Sequence, residues 1–193
     1  MELQIEKAAN ILREGGIVIF PTDTAFGMGC RMDNKDSVKR LFSIRKRPQN
    51  QATPVLFNNI EMMKDYLLDI PKEVKEKLMD KYWPGALTIV LSCKTDKVFS
   101  LIRGNSNNMG VRIPDDDNLV SIIEKLGVGV LGPSANFHGE STPYDFKDLN
   151  PKLVSLVDYV VEGECKLKDV STVINCSVNP WQIIRVGAVK LNL

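Results

Sequence analysis

The sequence predicts an α/β protein in which a twisted mixed sheet is flanked by helices, in one domain spanning residues 1–193. Three observations carry this reading. Short runs of β-branched and apolar residues, such as Ile17–Phe20, Ala86–Ser92 and Met109–Ile113, have the length and composition of strands. Segments with apolar residues at helical spacing lie between them. The two kinds are interspersed without the strict strand–helix–strand period of a dinucleotide-binding domain, which points to one mixed sheet in irregular α/β order.

Taken in order, residues 3–14 place Leu3, Ile5, Ala8, Ala9, Ile11 and Leu12 on a broad helical face, and Gly15-Gly16 supply the stop. Ile17 to Phe20 reads as a buried strand feeding the polar loop Pro21-Thr22-Asp23-Thr24. Asp33 or Asn34 can cap a second helix, with Val38, Leu41 and Phe42 on one face, which Pro48 forbids from continuing. Pro54–Phe57 is a short strand. Helices are expected over about 60–68 and 72–82, the second opened by Pro71, where a missing N–H costs nothing. Strands over Ala86–Ser92 and Met109–Ile113 flank the polar loop 104–108. A helix over 115–126 ends at Gly127, and Val128–Leu131 runs into Gly132-Pro133-Ser134-Ala135-Asn136. One or two helices through 145–156 precede strands at 159–161, 172–175 and 182–185.

A chain of 193 residues with 44% hydrophobic and 25% charged residues has the composition of an ordinary globular domain. The net charge of +1 supplies no global field toward nucleic acid or an anionic membrane, so any polyanion must meet a local patch. The acidic N-terminus lacks a basic region and a long apolar segment, and no apolar run approaches the ~20 residues of a membrane helix. A cytoplasmic protein without membrane contact is expected. Cys30, Cys93, Cys165 and Cys176 are scattered without paired spacing, and His138 is the only histidine, so no structural metal site is expected.

The polar loops at strand ends are where open sheets place ligands. For Thr22 and Thr24, the residues alone favour a turn whose hydroxyls and Asp23 satisfy their own backbone. Arg45, Lys46 and Arg47 are consecutive cations at a helix end. A solvated terminus explains them, and so does a bound polyphosphate matched by guanidinium forks. Ser134 and Asn136 can close a turn or hold a ligand. Arg112, inside the apolar run Met109–Ile113, needs a partner or a ligand for its charge. The chain has no G-x-x-x-x-G-K-[ST], no G-x-G-x-x-G opening its first helix and no G-x-S-x-G elbow. Phosphate-loop nucleotide binding and serine hydrolase chemistry are therefore disfavoured.

In order, "GGIVIFPTDTAFGMGC", "IRKRP", "WPGALTIVL", "VRIP", "GPSANFHGESTP" and "STVINCS" with "IIRVGAV" resemble the signature blocks of the YrdC/TsaC family of L-threonylcarbamoyladenylate synthases, in its short, single-domain form. The resemblance runs from about residue 7 to residue 189. It implies a twisted sheet around a large basic cavity. It also implies condensation of ATP, with Mg²⁺, bicarbonate and L-threonine into threonylcarbamoyl-AMP and pyrophosphate. The product then passes to a downstream threonylcarbamoyl transferase complex that modifies adenosine 37 of tRNA. By match to the family's blocks, Thr24, Arg112, Gly132 and Ser171 take the threonine, Arg112 through its carboxylate. Arg47, Gln51, Asn108, Ser134, Asn136, Thr142 and Arg185 take the ATP, and Arg45, Lys46 and Arg47 offset phosphate charge during transfer. The glycines of Gly27-Met28-Gly29 let the backbone pass close to the ligands.

The match has departures. Arg45 stands where the family has lysine, Phe26 where many members have tyrosine, Gln51 where asparagine is common and Leu56 where a histidine often lies. An alternative reading is therefore a paralogue without synthase activity that binds double-stranded RNA or tRNA, supported by the run Arg45–Arg47. A carbamoyl-adenylate enzyme like the related domain of hydrogenase-maturation carbamoyltransferases ranks last, since those chains carry zinc-finger and acylphosphatase parts.

Overall fold

The computed structural model describes residues 1–192. Strands β1 (Val18–Phe20), β2 (Gly27–Gly29), β3 (Val55–Leu56), β4 (Leu87–Ser92), β5 (Asn108–Arg112), β6 (Val130–Leu131), β7 (Tyr159–Val160), β8 (Thr172–Asn175) and β9 (Gln182–Arg185) fall into two sheets. The smaller has the order β2-β1-β7, with β1 antiparallel to β2 and parallel to β7. The larger has the order β6-β3-β5-β4-β8-β9 and alternates antiparallel and parallel neighbours along its width.

The expectation of one mixed sheet is thus corrected to two. The cause lies in "FPTDTAFGMG". Thr22 closes a tight turn by donating its hydroxyl to the Ala25 carbonyl at 2.7 Å and accepting from the amides of Thr24 and Ala25. The chain then folds back on β1 as β2, a strand that its glycines hid from sequence reading. The two sheets are stitched by bridges from Gly27 to Ser134 and from Arg31 to Val130. Gly29 has no room for a side chain there, since a Cβ would fall on the Leu131 carbonyl oxygen.

Helices α1 (Glu2–Arg13), α2 (Lys35–Arg45), α3 (Ile60–Lys64), α4 (Lys72–Val74), α5 (Asp80–Tyr82), α6 (Asp117–Leu126) and α7 (Pro151–Val154) flank the sheets. Asn34 caps α2 by accepting from the amides of Asp36 and Ser37, both at 3.1 Å, and Asp116 caps α6 by accepting from Leu119 at 2.9 Å. α2 stops at Arg45, before Pro48, because Lys46 takes a left-handed conformation with φ of 52°. The helix expected over 72–82 is interrupted by a π-helical turn at Lys75–Met79. Gly127, with φ of 75°, ends α6 as expected.

The apolar run into β1 is continuous because both of its faces are covered. Ile17 and Ile19 point into the main core with Phe26, Met28, Val55, Val111 and Ile174. Val18 and Phe20 point into a second cluster, where α1 contributes Ala8, Ala9 and Leu12 and α6 contributes Leu119, Ile122 and Ile123. Phe20, Phe26 and Phe57 are among the largest fully buried side chains, each contributing on the order of 1.5–3 kcal/mol. No helix among the described residues is long and apolar enough to cross a membrane.

Candidate active-site cavity

A cavity of about 420 Å³ opens beside the turn after β1, the C-terminal end of α2, the centre of the large sheet and the loop after β6. This is within the usual size range of small-molecule sites. Arg45, Arg47, Arg112 and Arg185 line it together with hydroxyl residues, and no carboxylate is among its described lining residues. It is a basic cavity.

On one side the turn after β1 and the end of β5 meet. Arg112 donates through Nε to the Gly85 carbonyl and through Nη1 to Thr24 Oγ1, both at 2.9 Å, and through Nη2 to Asp23 Oδ1. The Arg112 and Asp23 side chains are 6% and 2% exposed, so this is a fully buried ion pair. Of the partner or ligand that this charge needs, the protein itself supplies the partner, Asp23. Burial pushes the Arg112 guanidinium below its ordinary pKa, and the charge and hydrogen bond of Asp23 oppose the shift. The three protein contacts use three of the five guanidinium N–H groups, leaving one on each Nη for a ligand. Gly132 lines the same region, with its amide on the Pro54 carbonyl and the Leu56 side chain packed where a Cβ would sit.

Ser171 enters from the start of β8. Its hydroxyl lies 2.9 Å from Thr88 Oγ1 on β4 and accepts from Arg185 Nη2 at 2.9 Å, while Arg185 Nε donates to the Ser171 carbonyl. A residue assigned to the amino acid and one assigned to the nucleotide are therefore directly bonded.

On the opposite side, the left-handed kink at Lys46 splits the basic run. Arg45 and Arg47 line the cavity, whereas Lys46 is exposed with its ammonium 5.4 Å from the Phe137 ring centroid. Arg45 is 3% exposed and is held from behind by Asn136, to whose carbonyl and Oδ1 it donates at 3.1 and 3.2 Å. Burial, and secondarily the Arg47 charge, push its pKa down to about 10, so it keeps its charge at neutral pH. Arg47 is fixed by donating to the carbonyls of Gln51 and Ala52, and burial lowers its pKa as well. Ser134 lines the cavity and donates to Asn136 Oδ1 at 2.6 Å. Thr142 and Asn108 also line it, and Asn108 accepts from Ser92 at 3.2 Å.

Most of the expected site residues thus converge, and three do not line the cavity. Lys46 is turned outward by its backbone. Gln51 is exposed and offers Arg47 only its carbonyl. Asn136 lies behind Arg45 and Ser134 and positions both. Sequence reasoning missed Thr53, Thr88 and Ser106, which line the cavity, and the partnership of Asp23 with Arg112. Thr88 sits in the strand-like run Ala86–Ser92 and Thr53 just before the expected strand Pro54–Phe57, and only tertiary placement distinguishes them. Asp23 lies in the polar loop Pro21–Thr24 and does carry a signal, since a buried arginine needs a counter-charge.

Four arginines around a carboxylate-free cavity give this α/β domain a site whose charge complements an anionic small molecule. The chain belongs to the Sua5/YciO/YrdC family, whose model, described as telomere recombination, matches residues 10–187. It is 31% identical over 190 residues to threonylcarbamoyl-AMP synthase of Bacillus subtilis, covering 96% of this chain and 54% of that protein. The structure of Pyrococcus abyssi Sua5 complexed with L-threonine superimposes with a TM-score of 0.92 at 30% identity, covering 97% of this chain and 55% of that one. Escherichia coli YciO shares the fold, with a TM-score of 0.87 at 22% identity over 98% of this chain and 92% of that one. The chain spans about half the length of the threonylcarbamoyl-AMP synthases of Bacillus subtilis and Pyrococcus abyssi that it matches.

Proposed function

We propose that residues 1–193 act as one L-threonylcarbamoyladenylate synthase domain, with threonine on the Arg112 side of the cavity and ATP on the Arg45–Arg47 side. The observation that carries this reading is the arrangement of that single cavity. A buried arginine with two free N–H groups lies beside small hydroxyls at one end, and two further buried or half-buried arginines lie at the other. A carboxylate fits the first and a polyphosphate the second.

The threonine amine attacks the carbon of bicarbonate, water is lost, and a carbamate forms. A carbamate oxygen then attacks the α-phosphorus of ATP, and the bond to the bridging oxygen breaks to release pyrophosphate. The residues contribute position and charge. Arg112 and Thr24 orient the amino acid, while Arg45, Arg47 and Arg185 face charge that shifts along the phosphates. Asn136 and Ser134 hold the Arg45 end of this array. Arg45 replaces the family's lysine with a charge that stays protonated and offers a fork rather than a point. No carboxylate lines the cavity, and no group of three metal-ligating side chains occurs among the described residues, so a resident Mg²⁺ does not fit these residues. Mg²⁺ enters as Mg–ATP, as part of the substrate.

This reading places the protein in the cytoplasm, where a threonylcarbamoyl transferase complex takes up the product for tRNA. Pyrophosphate release from Mg–ATP, with L-threonine and bicarbonate each added or omitted, tests it. Release that requires both is expected. Folded protein that releases none under any combination would overturn the reading in favour of the RNA-binding paralogue.

A further inference from the structure

Arg185 reaches the cavity from β9, the edge strand of the larger sheet, whose four residues are all exposed. Ile184 beside it is 61% exposed, and Val186 just beyond it is 74% exposed. A strand that buries so little apolar surface is poorly anchored by packing, and only one of its edges is paired, to β8. Arg185 is nonetheless fixed, with Nε donating to the Ser171 carbonyl and Nη2 to Ser171 Oγ, both at 2.9 Å. Its backbone needs an anchor outside the strand.

The segment that follows supplies it. Thr172, the first residue of β8, is 1% exposed and does not line the cavity. Its hydroxyl donates to the Val189 carbonyl at 2.6 Å and accepts from the amides of Gly187 at 2.9 Å and Val189 at 3.2 Å, which uses its one donor and both acceptor sites. The Ala188 amide adds a bond to the Val170 carbonyl at 2.9 Å. Gly187 approaches the chain entering β8 so closely that a Cβ would fall on the Val170 carbonyl oxygen. Val189, held in this clasp, packs against the main core.

We propose that Thr172 is a positioning residue: its hydroxyl clasps residues 187–189 to the start of β8 and so holds Arg185 against Ser171, aimed at the bound nucleotide. This rests on the nucleotide reading of the cavity given above. The test is calorimetric binding of Mg–ATP, below the melting temperature of each protein, to wild type, Thr172→Val, Thr172→Ser, Gly187→Ala and Arg185→Ala. Thr172→Val and Gly187→Ala are also each combined with Arg185→Ala.

Thr172→Val keeps the shape of the side chain and leaves two amides without their acceptor. It should melt lower and bind Mg–ATP about ten-fold more weakly, and Thr172→Ser should restore both. In the Arg185→Ala background Thr172→Val should lose no further affinity, because the group through which it acts is gone. Gly187→Ala displaces the same segment with the hydroxyl in place, so it should show the same pattern, and it decides the matter if Thr172→Val does not fold. Thr172→Val binding as tightly as wild type would overturn the proposal. So would an equal loss with and without Arg185, since that marks a general structural role. Mg–ATP bound equally well by wild type and Arg185→Ala, or by neither, would overturn the nucleotide reading of Arg185 and the proposal with it.

Discussion

Replacing Asp23 by asparagine removes one charge from a pair that is almost wholly out of water, with side-chain exposures of 2% for Asp23 and 6% for Arg112. The shape of residue 23 is kept, and Arg112 retains its bonds to the Gly85 carbonyl and Thr24 Oγ1. What is lost is the counter-charge, and removing one member of a buried pair typically costs about 3–5 kcal/mol. For a domain of this size each kcal/mol shifts the melting temperature by roughly 2–4 °C, so a fall of about 6–20 °C is expected. Urea unfolding of Asp23→Asn, Arg112→Gln and the double variant measures it. The double variant, with neither charge, should recover about 0.5–3 kcal/mol relative to the sum of the single losses. Asp23→Asn within about 1 kcal/mol of wild type would refute the reasoning, because it would mean that the Arg112 charge is solvated without Asp23.

Asn136→Ala should reduce turnover about ten-fold or more through slack in Arg45 and Ser134, with the threonine requirement little changed. Steady-state kinetics in each substrate check this. Burial pushes the thiols of Cys165 and Cys176 up to about 11 and about 12 and raises that of Cys30 further, so none should alkylate at pH 8 while the protein is folded. Mass spectrometry after iodoacetamide treatment, with and without urea, reads this directly. The Arg40 hydrogen bond, aided by the Ile17 amide, holds the Asp158 carboxyl below its ordinary 3.8. The stability it contributes is present above that value and is lost as pH falls through the lower folded-state pKa. The stability gap between wild type and Asp158→Asn should therefore close in strong acid and stay constant from pH 5 to 7 in denaturant titrations.

The parts of this fold that could be read in advance are those decided by neighbours in the chain. Asn34 caps α2 and Gly127 ends α6 because capping is local chemistry. Arg112 draws attention because it lies in an apolar strand, and it lines the cavity at one end. The division into two sheets was not legible, because the return of the chain at Thr22 depends on hydrogen bonds within a turn that could equally have bound a ligand. The outward direction of Lys46 was hidden for a related reason, since a left-handed lysine has no sequence signature. Thr88 reads as an ordinary strand residue and Thr53 as the residue before a strand, and nothing in either local pattern marks it as lining a cavity.

The reversal of backbone at residue 46 makes the basic segment sensitive to length and indifferent to identity at its middle position. Arg45 is reached from the last turn of α2 and Arg47 from the loop beyond, and both arrive at the cavity only because a single residue separates them. Position 46 can take any residue that accepts a positive φ, asparagine and glycine best of all, and so can adjust the surface charge beside the cavity mouth without touching its interior. An insertion or deletion of one residue there would instead swing one guanidinium away from the cavity.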